Sequence, residues 1–339
     1  MKHILLVFFA LVSVAVSAQD KFKVLAIRGS VTNGSKNLSV GAKLKPSDRI
    51  VVGRGGYASL AHINGRTVEL KKEGSFKISD LDKQATKKTG AVSGKFAAYV
   101  YNELTEVEEP LAFKDTHRSN MKRTGSVERA LGDEVNVWDS IAAASGVGGP
   151  GELQALGMVG SLSMANGTAF VAIMPRHSRL YSDTVTFQWH RSPKVQDYRI
   201  VVLDKDDRVV VTRETRDTVM TVNVREAGLK AGQTYQWYVE NVAEKSYRTD
   251  PYLIWLVEGA EGATIRDVLT EIDNDFDADD AVACLVRATA CEDLGLVYDA
   301  WRSYRRAVEL ASDVKNYKRL YAEFLNRHGL VADAWEVYR

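Results

Sequence analysis

The segment Gly295-Leu-Val-Tyr-Asp-Ala-Trp-Arg-Ser-Tyr-Arg305 returns 34 residues later as Gly329-Leu-Val-Ala-Asp-Ala-Trp-Glu-Val-Tyr-Arg339, identical at eight of eleven positions. A period of about 34 residues belongs to repeats built from two antiparallel helices, which cannot bury their apolar faces alone and so stack on one another. The C-terminal part of the chain is thereby constrained to an all-α array. Stacked helix pairs make surfaces for other proteins more readily than reaction centres, so the repeat speaks of partners.

The periodicity predicts helices at roughly 264–273, 279–294, 297–311, 314–328 and 331–339. Thr264-Ile-Arg-Asp267 has the form of a capping box, and Gly295 and Gly329 stand where helices end. Ala300, Tyr304 and Ala307 fall at packing positions of one helix, and Cys284, Ala288 and Cys291 on the inward face of the helix before it. On these residues the segment 263–339 resembles tetratricopeptide (TPR) repeats, which implies a protein-binding role. Two copies are fewer than the three usually needed for independent stability. The last helix stops with Trp335 and Val337 instead of a polar cap. The tail is therefore expected to lean on the domain before it, on another copy of the chain, or on a partner. Trp301 with Tyr304, and Trp335 with Tyr338, repeat at helical spacing and suit either inter-helix packing or a partner-binding face.

Cys284 and Cys291 are the only cysteines. Seven residues apart on one helix, their Cα atoms would lie about 10.5 Å apart, too far for an unstrained disulfide. They read as small packed hydrophobes, not as redox or metal groups.

At the other end, Lys2 and His3 precede an apolar run from Ile4 to Val16, and Val16-Ser-Ala18 places small residues before Gln19. Residues 1–18 read as a secretory signal peptide. The run is short for a membrane span, and no Cys follows it to take a lipid. The mature protein is expected to be exported, to the periplasm or the periphery of the outer membrane, without a transmembrane segment. The whole chain has 45 Lys and Arg against 44 Asp and Glu, and loss of Lys2 leaves 44 of each. Such balance argues against nucleic acid as a partner.

Residues 19–82 alternate as β structure punctuated by the turn dipeptides Asn33-Gly34 and Asn64-Gly65. Val24-Leu-Ala-Ile-Arg-Gly-Ser-Val31, Leu38-Ser-Val-Gly-Ala-Lys-Leu44, Asp48-Arg-Ile50 and Gly53-Arg-Gly-Gly-Tyr-Ala-Ser-Leu60 carry a resemblance to the FecR-like β domain. It continues through Val68-Glu-Leu70 and Phe76-Lys-Ile78. That family is known for envelope signalling linked to iron uptake. This chain lacks the cytoplasmic part and membrane helix of such a regulator, so only the fold is carried over.

Residues 83–169 read as one helix plus a flexible linker. Ser93 is placed to cap a helix reaching about Leu104, with Phe96, Tyr99, Val100 and Leu104 on one face. One strand is expected near Gly125–Ala130, and residues 142–167 are rich in Gly, Ala and Ser. Residues 170–258 show alternating runs beginning near Phe170, Val185, Tyr198, Val209, Val219, Thr234 and Tyr252, the pattern of a β-sandwich. Leu229-Lys-Ala-Gly-Gln-Thr-Tyr235 resembles the tyrosine corner of fibronectin type III domains, with Ala231 where Pro is usual. Trp189 and Tyr235 are expected in the core. The fold class expected is thus multidomain: an all-β FecR-like domain, an Ig/fibronectin III-like sandwich and an all-α TPR-like tail.

No catalytic constellation emerges. Asp273-Asn-Asp-Phe-Asp-Ala-Asp279 spaces acids as a calcium loop does, but Ala278 and Cys284 stand where that loop needs Gly and Glu. It reads as a solvated loop whose Asp277 or Asp279 caps the next helix. Ser145-Gly-Val-Gly-Gly-Pro-Gly151 lacks the Gly-Lys-Ser/Thr ending of a phosphate loop. His3, His62, His117, His177, His190 and His328 show no metal-ligand spacing. No cofactor, metal or enzymatic activity is expected. Asp139-Ser-Ile141, Asp183-Thr-Val185 and Asp217-Thr-Val219 resemble an O-glycosylation sequence of some Gram-negative bacteria, which would make Ser140, Thr184 and Thr218 modification sites. The expected function is a non-enzymatic periplasmic scaffold or adaptor. It would bind envelope proteins, or another copy of itself, through the tail. A glycan- or peptidoglycan-binding protein and an envelope signalling component are the alternatives.

Overall fold

A computed structural model of the chain describes residues 19–85, 87–105 and 170–339. The leader, the strand expected near residue 125, the glycine-rich stretch and Ser140 lie outside the described residues. What is described has a β-rich N-terminal region and a helical C-terminal region, a multidomain layout.

Two four-stranded sheets form the N-terminal region. One has the order β4 (Lys43–Leu44), β1 (Phe22–Arg28), β6 (Tyr57–His62), β7 (Thr67–Leu70). The other runs β3 (Lys36–Asn37), β2 (Val31–Asn33), β5 (Arg49–Val52), β8 (Gly74–Lys77). The Asn64-Gly65 dipeptide joins β6 to β7 in an antiparallel hairpin with Ala61 opposite Thr67. Phe22, Val24, Leu44, Ile50, Val52, Leu60 and Leu70 fill the core, which α1 (Ile78–Gln84) closes with Ile78 and Leu81. Every residue of β6 is buried. Ala58 and Leu60 face this core, whereas Tyr57 and Ala61 join a second, much larger one. A strand covered on both faces needs small or apolar residues throughout, and Tyr57-Ala-Ser-Leu-Ala supplies them.

The second core runs from α2 (Ala91–Thr105) through the helical array into the sandwich. Phe96, Tyr99, Val100 and Leu104 of α2 are buried in it. The cap expected of Ser93 is supplied from elsewhere: Ser93 lies inside the helix and is buried. A glutamate and an aspartate of α3 (Gly259–Asp275) receive the first amides instead.

Residues 170–256 form two facing sheets. Five strands lie in the order β10 (Ser178–Leu180), β16 (Tyr252–Leu256), β15 (Thr234–Asn241), β12 (Tyr198–Leu203), β13 (Val209–Thr215). Three lie in the order β14 (Val219–Asn223), β11 (Thr184–Trp189), β9 (Ala172–Met174). Seven of these match the alternating runs. The eighth, β10, is only three residues long and pairs parallel with β16. Trp189 and Tyr235 are buried, and the Phe187 and Trp237 rings meet edge to face at 4.7 Å. The Lys230 amide donates to the Tyr235 hydroxyl at 2.8 Å, closing the corner into β15.

The helical array comprises α3, α4 (Ala281–Asp293), α5 (Val297–Leu310), α6 (Lys315–Arg327) and α7 (Val331–Tyr338). Gly295 and Gly329 adopt φ of 70° and 74°, the left-handed conformation that ends a helix cheaply only at glycine. One expected boundary moves. The first helix begins at Gly259, and Thr264, placed in a capping box by its pattern, donates to the Ala260 carbonyl inside the helix. No helix of the described residues is long and apolar enough to cross a membrane.

Candidate functional site: the seams on the helical array

Several polar groups with strongly perturbed chemistry lie where other parts of the chain meet the helices. The first seam joins the N-terminal sheets to the start of α4. Asp280 is the N-cap of that helix, where sequence spacing favoured Asp277 or Asp279, and its Oδ1 accepts from the amides of Val282 (2.8 Å) and Ala283 (3.2 Å). The preceding amide, Ala281, donates to Glu69 Oε1 of β7 at 3.0 Å. Thr67 of β7 donates to the other Asp280 oxygen. Two carboxylates, one from each region, thus share a single helix N-terminus, whose dipole favours negative charge.

Around them, the Tyr57 hydroxyl donates to Glu69 and lies 3.1 Å from the Tyr317 hydroxyl of α6. Lys71 Nζ sits 2.7 Å from Glu69 Oε2 and 2.6 Å from the Asp279 carbonyl. Burial, followed by the Glu69 charge, pushes the Asp280 carboxyl up to about 7. Burial also drives the Tyr57 and Tyr317 hydroxyls far above the ordinary tyrosine range. For Lys71, burial is outweighed by the bond to Glu69 and the nearby acids, and its ammonium is held above the usual value.

The second seam wraps α2. Glu271 Oε1 of α3 accepts from Val92 N (2.8 Å) and Ser93 N (3.0 Å), and Asp275 Oδ2 accepts from Gly90 N at 2.6 Å. Asp275 Oδ1 meanwhile pairs with Arg66 at 3.0 Å. At the other end of α2, Asn316 and Arg319 of α6 donate to the carbonyls of Leu104 (3.0 Å) and Glu103 (2.6 Å). Both ends of one helix are therefore capped by the array.

The third seam seats the sandwich. Arg179 N donates to the Gly295 carbonyl (3.1 Å), Tyr298 N to Ser178 Oγ (3.0 Å), and Thr186 N to the Tyr298 hydroxyl (2.9 Å). Arg176, 1% exposed, donates to the His328 carbonyl at 2.7 Å and lies 4.6 Å from the Tyr252 ring centre. His190 Nε2 is 3.0 Å from Asp333 of α7, and that bond raises its pKa against the opposing effect of burial. Burial, then the Arg176 charge, lowers His177 to about 4; burial lowers His328 to about 3. Gly295, Tyr298, His328 and Asp333 all lie in or beside the two repeat copies. The self-similar segments thus face their own sandwich.

The sequence-derived candidates fare differently. Trp301 and Tyr304 are buried, with Tyr304 5.0 Å from the Phe324 ring of α6, whereas their repeat counterparts Trp335 and Tyr338 are 43% and 38% exposed. The stretch expected as a loop over 273–279 is helical through Asp275, and its acids are engaged: Asp273 pairs with Arg287, Asp279 with Arg306, and Asp277 accepts from Asp279 N. Among the described residues no group of three or more His, Cys, Asp and Glu could hold a metal. Cys284 and Cys291 are both free and buried, and burial pushes the Cys284 thiol up to about 12 and Cys291 higher still. Thr184 is exposed at the start of β11 and Thr218 half-buried before β14. The β11–β14 register, with Thr184 opposite Asn223 and Gln188 opposite Val219, keeps them at opposite ends of the strand pair.

A shallow cleft on the N-terminal region is lined by His62, Ile63, Asn64, Asp82, Lys83 and Lys88. His62 Nε2 lies 2.7 Å from Asp82 Oδ1, and its Nδ1 accepts from Asn64 N at 3.3 Å. With both ring nitrogens committed, the His62 imidazole has no free lone pair with which to act as a base. Glu69, Asp280, Tyr57, Arg176 and the His190–Asp333 pair escaped sequence reasoning, since each belongs to a residue type normal on a surface and only the tertiary fold buries it. No family model and no curated protein sequence matches this chain.

Proposed function

We propose that the chain is a non-enzymatic scaffold or adaptor of a bacterial cell envelope, exported after loss of residues 1–18. The parts are read as a FecR-like domain (19–82), a helix and linker (83–169), an Ig/fibronectin III-like sandwich (170–258) and TPR-like repeats (263–339). One observation supports this reading: Asp280, Glu69 and Arg176, buried polar groups of the kind a reaction centre would use, are spent holding the β-rich regions to one helical array. That is the design of a rigid multi-part platform. Tyr338 and Trp335 on α7 offer exposed aromatic surface at the end of the array, of the kind that anchors protein partners.

Affinity capture of envelope proteins by the full chain, in parallel with a Trp335→Ala/Tyr338→Ala double variant, tests it. The expected result is a defined partner set that the double variant loses while it remains folded. An undiminished partner set removes α7 as the docking element. Co-sedimentation with purified peptidoglycan, in the absence of captured proteins, would replace the scaffold reading with the glycan-binding one.

A further inference from the structure

Asp280 and Glu69 come from regions more than two hundred residues apart in sequence, and both are nearly or wholly withdrawn from water at the same helix N-terminus. Two ionised carboxylates at such range repel strongly unless cations balance them. The β7 hairpin presents Lys71 and Arg66, of which Arg66 is spent on Asp275. From β6 comes Tyr57, from α6 Tyr317, and from α2 Tyr101, all pushed up and therefore neutral across ordinary pH. Helix α4 itself adds the Cys284 thiol, also neutral, and its preceding loop adds the acids Asp277 and Asp279, the latter paired with Arg306 of α5. Arg287 is turned to Asp273. One lysine therefore faces two buried acids. Charge balances only when the pair retains a proton.

We infer that Glu69 and Asp280 form a proton-dependent clasp that holds the N-terminal β region on the helical array most tightly in acid and loosens progressively as the pH rises to neutrality.

The sign follows from linkage. A carboxyl whose pKa is higher in the docked state than in the open one keeps a proton there that the open state has released. Docking is strongest below the open-state pKa and weakens until the docked-state value is reached. For Asp280 that window runs from its ordinary value of 3.8 up to about 7. The hydrogen bonds from Val282, Ala283 and Thr67 moderate the cost of ionisation without removing it.

Amide hydrogen exchange of the full chain at pH 5, 6, 7 and 8, corrected for intrinsic rates, tests the clasp. The probes are the amides of 281–283 and 67–70, with the central strand β12 as internal reference. Opening at the seam is expected to rise on the order of a hundredfold between pH 5 and pH 8 and to level off above pH 7. The β12 amides should stay constant. Asp280→Asn, which keeps an N-capping oxygen and cannot ionise, should flatten the profile, and Glu69→Gln, which removes the like charge but not the burial, should reduce the rise. A wild-type profile without a rise, or one reproduced unchanged by both variants, overturns the inference. Should Asp280→Asn fail to fold, a rise undiminished in Glu69→Gln overturns the inference.

Discussion

The hydroxyl of Tyr57 lies 3.1 Å from that of Tyr317, 260 residues further along the chain. One belongs to a strand near the start, the other to the fourth helix of the terminal array. Tyr317 is wholly buried, so the contact was made by excluding water, and because the Tyr57 hydroxyl gives its proton to Glu69 it accepts from Tyr317.

Removal of either hydroxyl should therefore be felt. Tyr317→Phe is expected to cost about 1–2 kcal/mol, and Tyr57→Phe about 2–3 kcal/mol because it also strips a donor from the Glu69 carboxylate. Since the groups touch, the double variant should fall short of the sum. Urea unfolding of the four proteins of the cycle measures this coupling.

Helix α2 borrows its N-terminal cap from α3. Glu271→Ala is expected to destabilise the chain by about 1–2 kcal/mol. It should also speed exchange of the Val92 and Ser93 amides selectively, since no other acceptor reaches them among the described residues. Glu271→Gln, which retains an oxygen acceptor, should recover part of the loss.

The sandwich seam should weaken in acid. His177 is depressed to about 4 by burial and Arg176, so its contribution is present above the ordinary histidine value of 6.5 and is lost as pH falls through about 4. His177→Asn should remove about 1.4 kcal/mol per pH unit from the slope of stability between pH 6.5 and pH 4. Asn suits the position because its φ is 40°. His190 has the opposite sign. Its raised pKa stabilises below the ordinary value, and the benefit fades as pH climbs beyond it. Urea midpoints measured across pH separate the two.

Both thiols should resist reagents. With Cys284 pushed up to about 12 and Cys291 wholly buried, neither is expected to react with a maleimide at pH 7.5 in the folded chain. Two equivalents should react in urea. Mass spectrometry counts the adducts.

Much of the architecture could be read locally. The Asn64-Gly65 hairpin, the helix stops at Gly295 and Gly329, and seven of the alternating runs depend on residues that act on their own neighbours. Where reading failed, the cause lay at a distance. Strand β10 exists because β16 supplies its ladder from 76 residues away, with Ser178 opposite Ile254. Ser93 resembles a cap until Glu271 takes its place. Glu69 sits at a position of alternation that predicts a solvated side chain, and only the helix laid over β7 buries it. Local propensity marks where elements begin, and it carries no signal for acids that become neighbours through folding.

The borrowed caps of α2 bear on the order in which this molecule comes into being. Phe96, Tyr99, Val100 and Leu104 leave a ribosome or an export channel long before Glu271, Asn316 and Arg319, the residues that tie the ends of their helix. Until those arrive, the early part of the chain presents an uncovered apolar ridge and the outer face of β6 beside it. A copy cut short after Leu256 would keep its sandwich strands and still display that ridge. Completion of the last helices is thus what conceals the first ones, and an unfinished copy advertises itself to the chaperones and proteases that survey exposed apolar surface.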